Sequence, residues 1–210
     1  MDKPTLALFD FDGTITRSDT LPLFIRHAVG WGGYLLAMIT TLPAMIILAC
    51  NGWKSCWGID AGATKALLLR RCFMGKTPSQ VERMGNDFVA KVDAVLAPHV
   101  MQRLREHLDA GHQVAIVSAS VDVWVRPWAV QQGVTQVIAT RLHKDEKNRY
   151  TGQFDGANCN GSEKVNRIAA LYNRNDYHIV AYGNSSGDYP MFDYAHEAYL
   201  CSDKGMSRYK

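Results

Sequence analysis

The chain has 210 residues, 47% of them hydrophobic and 20% charged, a composition that suits one substantial core with a small accessory module and excludes a disordered chain. Its formal net charge of +3 comes from 23 basic and 20 acidic residues scattered without a basic stripe, which argues against nucleic acid as a partner. The five cysteines, Cys50, Cys56, Cys72, Cys159 and Cys201, are odd in number and form no C-x-x-C pair, so neither a disulfide framework nor a zinc site is expected. Reduced thiols fit a cytoplasmic protein, and the start Met1-Asp2-Lys3-Pro4 lacks the layout of a signal peptide.

Thr5-Leu6-Ala7-Leu8-Phe9 is a short apolar run ended by Asp and Gly, which reads as a buried strand emptying into a loop. Residues 19–98 follow as a helical insertion. The strand pattern returns at Val114-Ala115-Ile116-Val117, ending in Ser118-Ala119-Ser120, and again at His178-Ile179-Val180-Ala181-Tyr182 before Gly183. Helical stretches at 100–110 and 163–172 alternate with these strands, which predicts a doubly wound parallel sheet covered on both faces. Ligands bind beyond the carboxyl ends of such strands, where the small polar residues fall. Residues 141–154, with Lys144-Asp145-Glu146-Lys147-Asn148 at the centre, read as a plain surface hairpin with a charged turn. The expected division is a catalytic core of 1–18 and 99–210 with a cap of 19–98.

Residues 28–53 carry no charge, and the core from Leu35 through Ala49 is long enough to be flagged as a membrane span. A single crossing would put the ends of the first two strands on opposite sides of the membrane, although they must share one site, and Gly30, Gly32, Gly33 and Pro43 interrupt the stretch. Two readings remain open: a buried helical cap, or an element that touches lipid. Arg26, Lys54, Lys65, Arg70 and Arg71 flank the apolar part and suit an anionic bilayer surface, as they would any solvated helix.

Phe9-Asp10-Phe11-Asp12-Gly13-Thr14 places two carboxylates close together at the end of the first strand. Such a pair is costly to ionise unless a cation sits between, which a hard, oxygen-seeking ion such as Mg2+ supplies. Gly13 permits the tight turn that lets both acids face one point. The bland alternative is a loop in which the Asp side chains accept backbone hydrogen bonds.

At this point the sequence resembles the haloacid dehalogenase superfamily, whose first motif is D-x-D-x-T at the end of the first strand. Ser118 resembles the phosphate-binding Ser or Thr of the second motif, Lys164 in Gly161-Ser162-Glu163-Lys164 the lysine of the third, and Gly183-Asn184-Ser185-Ser186-Gly187-Asp188 the acidic fourth. The resemblance implies a Rossmann-like core with an inserted all-helical cap, and a Mg2+-dependent phosphatase acting through an aspartyl phosphate. Asp10 would be the nucleophile and Asp12 the general acid and base, an acid that true dehalogenases of the superfamily lack. Ser118, Ala119 and Lys164 would bind phosphate, and Asp10, Asp12 through its backbone carbonyl, Asn184 and Asp188 the metal. Asn184 stands where many members have Asp, which removes one negative charge from the metal site.

The insertion between the first and second motifs resembles the subfamily of phosphoserine phosphatases and a bacterial phosphatidylglycerophosphate phosphatase, whose helical caps close over substrate. The substrate class is then a small phosphorylated metabolite or a lipid phosphate, with peripheral membrane contact through the apolar segment. A non-catalytic phosphate-binding regulator, suggested by Asn184, is the rival of a different class. Trp124 and Trp128, four apart, are expected in the core, and Arg126 is a candidate for meeting an anionic substrate.

Overall fold

The computed structural model describes residues 3–50 and 61–210; of these, the side chains of 44–50, 61 and 63 are not described. In chain order the elements are β1 (Thr5–Phe9), α1 (Leu21–Cys50), α2 (Ala61–Phe73), α3 (Pro78–Asp93), α4 (Pro98–Asp109), β2 (Gln113–Val121), α5 (Asp122–Gln131), β3 (Gln136–Thr140), β4 (Leu142–Lys144), β5 (Tyr150–Phe154), α6 (Ser162–Leu171), β6 (His178–Gly183), α7 (Tyr189–Tyr194), β7 (Glu197–Ser202) and β8 (Gly205–Arg208). They form two compact units. The first comprises Met1–Thr20, Gly85–Thr140 and Ala157–Lys210, the second Leu21–Met84 and Arg141–Gly156.

The first unit is built on a six-stranded sheet of order β3-β2-β1-β6-β7-β8, parallel except for the closing β7–β8 pair. Leu6 to Phe9 of β1 are wholly buried because β1 lies inside the sheet and both its faces are covered, as the unbroken apolar run predicts. Leu6, Leu8, Ala115, Val117 and Ile179 pack with Ile168 of α6 and Phe192 of α7. Elsewhere, Phe9 stacks on Tyr182 at 4.4 Å between centroids, and Tyr182 on Tyr199 at 5.3 Å. The chain departs from β1 to β2 on one side and arrives at β6 on the other, so the carboxyl end of β1 borders the crevice where strand order reverses.

Pro127 does not break α5, and both its tryptophans are fully buried. Each nevertheless finds a partner for its indole N–H, Trp124 donating to Thr20 Oγ1 at 3.0 Å and Trp128 to Asp93 Oδ1 at 2.9 Å. Arg126 spans to the main-chain oxygen of Val137 at 3.2 Å, a tie between α5 and β3.

The second unit joins α1, α2 and the first part of α3 to the β4–β5 hairpin. Phe24 stacks on Phe73 at 5.5 Å, the main chain of Tyr150 exchanges hydrogen bonds with Gly75 and Lys76, and Arg149 donates to the Gly75 oxygen at 2.8 Å. Gly152, at φ +76°, lies where a Cβ would come within 2.4 Å of the Arg70 Cα, so the strand can approach α2 only as glycine. The hairpin is thus part of the accessory unit's framework rather than a plain surface feature. Where described, the insertion is helical. The two compact units part after Thr20 and inside α3, and the second includes 141–156.

Helix α1 is two helical pieces joined at Gly30, whose φ of +69° interrupts the run. Ala37 and Thr41 are buried while Trp31, Leu35, Leu36, Ile39 and Leu42 are exposed, so the uncharged stretch is neither wholly buried nor wholly outward. Among the described residues no helix is long and apolar enough to cross a membrane. Lys54 and Cys56 lie outside the described residues; Cys72, Cys159 and Cys201 are buried and unpaired by disulfide.

Candidate active site

Strand β1 delivers Asp10 to the carboxyl edge of the sheet, and the next five residues form a tight turn containing Gly13 at φ +75°. A Cβ on Gly13 would fall 2.1 Å from Asn184 Nδ2, so glycine is needed here both for the backbone angle and for the close approach of the fourth-motif loop. The turn brings Asp10, Asp12 and Thr14 to one side.

Lys164, 2% exposed on α6, extends its Nζ to Asp10 Oδ1 and Asp188 Oδ1, each at 2.6 Å. A buried ammonium between two buried carboxylates leaves the trio one negative charge in excess, and this excess shapes the acid–base character of the site. Burial, with the neighbouring Asp188 and Asp12 charges, outweighs the Lys164 attraction and pushes Asp10 up to about 7. Burial works to lower Lys164, but its two carboxylate partners prevail and hold it above the ordinary lysine range. The other Asp10 oxygen accepts from Thr14 Oγ1 at 3.0 Å, and the same hydroxyl lies 3.4 Å from Asn184 Oδ1.

Asp12 sits in a separate set of bonds. Its Oδ1 accepts from the main-chain N–H and the hydroxyl of Thr20, both at 2.7 Å, and its Oδ2 from Ser120 Oγ in a short hydrogen bond. Burial, then the nearby Asp19 charge, raises its pKa in spite of these donors. Ser118, 1% exposed, accepts from the Ser120 N–H at 2.9 Å, and the Ala119 oxygen accepts from Thr140 Oγ1 at 2.6 Å, which ties the end of β2 to β3. Asp188 uses its second oxygen to accept from the N–H groups of Asn184 and Ser185 and from the Ser185 hydroxyl, at 3.0 to 3.1 Å.

Asp10, Asp12, Ser118, Lys164, Asn184 and Asp188 therefore gather at one crevice. Asp10, Lys164 and Asp188 are in direct contact, Asn184 joins them through Thr14, and Asp12 joins Ser118 through Ser120. Three participants carry no assignment in the sequence reading: Thr14, which the D-x-D-x-T pattern contains, Ser120, which stands in the same small polar tripeptide as Ser118, and Thr20, which has no local signal. Among the described residues no three His, Cys, Asp or Glu side chains are grouped to hold a metal ion. The oxygens of Asp10 and Asn184 that share the Thr14 hydroxyl are nonetheless hard donors, and one carboxylate plus one amide fits magnesium, which keeps several of its waters.

Residues 7–193 match the model of the haloacid dehalogenase-like hydrolase family. The chain is 31% identical over 198 residues to protein CicA of Caulobacter vibrioides, covering 93% of this chain and 85% of that one. It is 32% identical over 212 residues to a probable phosphatase of Mycobacterium tuberculosis, covering 97% and 71%. Among solved structures, a protein with unknown function from Bordetella pertussis Tohama I superposes with a TM-score of 0.75 at 23% identity, covering 93% of this chain and 89% of that one. A substrate-bound phosphoserine phosphatase superposes with a TM-score of 0.60 at 20% identity, covering 94% and 86%, a likeness of fold. By its motifs, its sheet and these similarities the chain belongs to the haloacid dehalogenase-like hydrolases, among members named as phosphatases and with the fold of the phosphoserine phosphatases.

Proposed function

We propose that this enzyme is a magnesium-dependent phosphatase that hydrolyses phosphate monoesters through a phosphorylated Asp10. The observation that carries the reading is the buried Asp10–Lys164–Asp188 chain. It holds one Asp10 oxygen against a cation, while the other accepts from Thr14 on the side of Asn184. The Asp10 oxygen beside Lys164 attacks in line, the bond from phosphorus to the leaving oxygen breaks, and Asp12 gives the leaving oxygen its proton. The raised pKa of Asp12 suits an acid that arrives protonated, and Thr20 and Ser120 hold it in one orientation. Asp12, now ionised, takes a proton from water, whose oxygen attacks phosphorus and releases Asp10 and inorganic phosphate.

Ser118 Oγ and the Ala119 N–H orient the phosphoryl oxygens, and Lys164 offsets their charge. Asp10 Oδ2, Asn184 Oδ1 and, from the family resemblance, the Asp12 main-chain oxygen would hold magnesium, which when bound neutralises charge building up on the phosphoryl group. The Asp12 carboxylate accepts hydrogen bonds from Thr20 and Ser120, and the Asp188 carboxylate, a metal ligand by the resemblance, accepts from Asn184, Ser185 and Lys164. We therefore assign Asp12 to proton transfer and Asp188 to positioning Lys164 and the 184–185 turn.

The substrate in this reading is a small phosphorylated metabolite. A lipid phosphate is the second reading, favoured by the exposed uncharged face of α1, with the enzyme cytoplasmic and peripheral to the inner face of the membrane. The non-catalytic alternative is disfavoured by the intact Asp10–Lys164 pair. The test is the initial rate on an aryl phosphate and on a panel of phosphorylated metabolites and lipid phosphates, with magnesium and with chelator. Turnover that is lost with chelator and in Asp10→Asn is expected; chelator-insensitive turnover, or Asp10→Asn at near wild-type rate, overturns the mechanism.

A further inference from the structure

The second unit differs from the rest of the chain in charge. Of the 23 basic and 20 acidic residues, 11 basic and 5 acidic fall in Leu21–Met84 and Arg141–Gly156, a net charge of +6, while the catalytic unit is left at −3. Neither α1 nor α2 contains a single Asp or Glu. From Trp31 to Pro43 the exposed positions of α1 are Trp31, Gly32, Leu35, Leu36, Ile39, Thr40, Leu42 and Pro43, with no charge among them. At 100° per residue these occupy about half the helix circumference, and the opposite half holds the buried Ala37 and Thr41. Five large apolar side chains in one stripe, each more than half exposed, form a face of the kind that marks an interaction surface.

Cations border this stripe at both ends. Arg26 lies over the Trp31 ring at 4.8 Å. A cleft of about 290 Å³ between α1 and α2 is lined by Thr40, Thr41, Leu67, Arg70, Arg71 and Met74, with Leu67, Arg70, Arg71 and Met74 all exposed. Apolar side chains on one helical face beside arginines that form no ion pair among the described residues make the pattern of an element that lies in a bilayer interface. A second copy of the chain is a poor occupant, since it would bring another +6 unit and no acidic side chain on α1 or α2 to meet the arginines.

We propose that the exposed face of α1, with Arg26, Arg70 and Arg71, docks this enzyme on an anionic phospholipid surface: Trp31, Leu35, Leu36, Ile39 and Leu42 enter the acyl boundary, and Arg70 and Arg71 take headgroup phosphates at the mouth of the α1–α2 cleft. This deepens the peripheral placement proposed above by naming its surface and its lipid chemistry, and it rests on that placement alone, not on the phosphatase mechanism.

The test is sedimentation of the full chain with phosphatidylcholine vesicles, with and without phosphatidylglycerol, while hydrolysis of a soluble aryl phosphate is followed in parallel. We expect pelleting that requires phosphatidylglycerol and declines with salt. Arg70→Glu with Arg71→Glu should weaken it by at least about fivefold per cation removed, and Leu35→Glu with Ile39→Glu by tenfold or more, with aryl phosphate turnover unchanged in each. All four side chains are exposed, so folding is not at stake, and turnover reports it directly. The proposal is overturned if the wild type stays in the supernatant, if Leu35→Glu with Ile39→Glu pellets as well as wild type, or if lipid-free sedimentation shows a dimer that the same variant dissociates. Absence of turnover with intact vesicle binding would refute the catalytic reading and leave this surface standing.

Discussion

Replacing Lys164 with methionine preserves an unbranched side chain of similar length and removes the ammonium that Asp10 and Asp188 share at 2.6 Å each. Two carboxylates that are 6% and 1% exposed then face each other without a cation. Breaking a buried pair in this way costs about 3–5 kcal/mol, because the stranded charge keeps its desolvation penalty and loses its partner. In a chain of this size 1 kcal/mol moves Tm by about 2–4 °C, so a fall on the order of 10 °C at pH 8 is expected. The penalty should depend on pH in a defined direction. Asp10 is already pushed up to about 7 with the lysine present, and its loss drives the pKa higher. A carboxyl whose folded pKa exceeds its unfolded value has its stabilising share at low pH and loses it as pH rises through the folded pKa. The gap between Lys164→Met and wild type should therefore be widest at pH 8 and narrow toward pH 5, where a proton replaces the missing cation. Thermal unfolding followed by circular dichroism at both pH values, with chelator so that no metal contributes, measures it. Equal gaps at the two pH values, or an unchanged Tm, would refute the argument that Lys164 is the counterion of two buried carboxylates. Turnover at pH 8 should fall by about two to three orders of magnitude, since the anion loses a stabilising donor to the reacting phosphate.

Asn184→Asp restores a carboxylate beside the Thr14 hydroxyl and should tighten magnesium about tenfold in a titration of activity; unchanged metal dependence would remove Asn184 from the ligand set. Gly13→Ala puts a Cβ 2.1 Å from Asn184 Nδ2 at φ +75°, costing about 1–2 kcal/mol of backbone strain and displacing the amide. Its loss of turnover should be greater at limiting than at saturating magnesium. His107, whose pKa is lowered to about 4 by burial and by the adjacent His112 and Arg103, must remain neutral in the folded state. Its folded pKa lies below the unfolded 6.5, so its contribution is intact above pH 6.5 and is lost as pH falls toward 4, a change on the order of 2 kcal/mol. In urea unfolding, His107→Gln should show a shallower loss of stability between pH 6.5 and 4 than wild type.

Local chemistry in the sequence already specified the parallel-sheet core, because strands buried on both faces must be unbroken apolar runs, and β1, β2 and β6 are written that way. Local chemistry singles out the paired carboxylates Asp10 and Asp12, whereas Ser118, Lys164, Asn184 and Asp188 stand out only through their ordered resemblance to the family's motifs, since a lone Ser after a strand or Lys in a helix carries no such signal. Only the tertiary structure could decide what each carboxylate touches. Asp12 and Asp188 differ from Asp10 through Thr20, Ser120, Asn184 and Ser185, partners eight to more than a hundred residues away or set by the folding of a loop, and no periodicity encodes such pairs. The hairpin at 141–156 has the composition of a solvated turn, and its place against α2 follows from Gly152 and the Gly75–Tyr150 main-chain bonds, which are contacts across sequence. The uncharged insertion was ambiguous between burial and exposure for a similar reason: hydropathy states that a helix has apolar residues to bury, and the arrangement of its neighbours determines which face they cover.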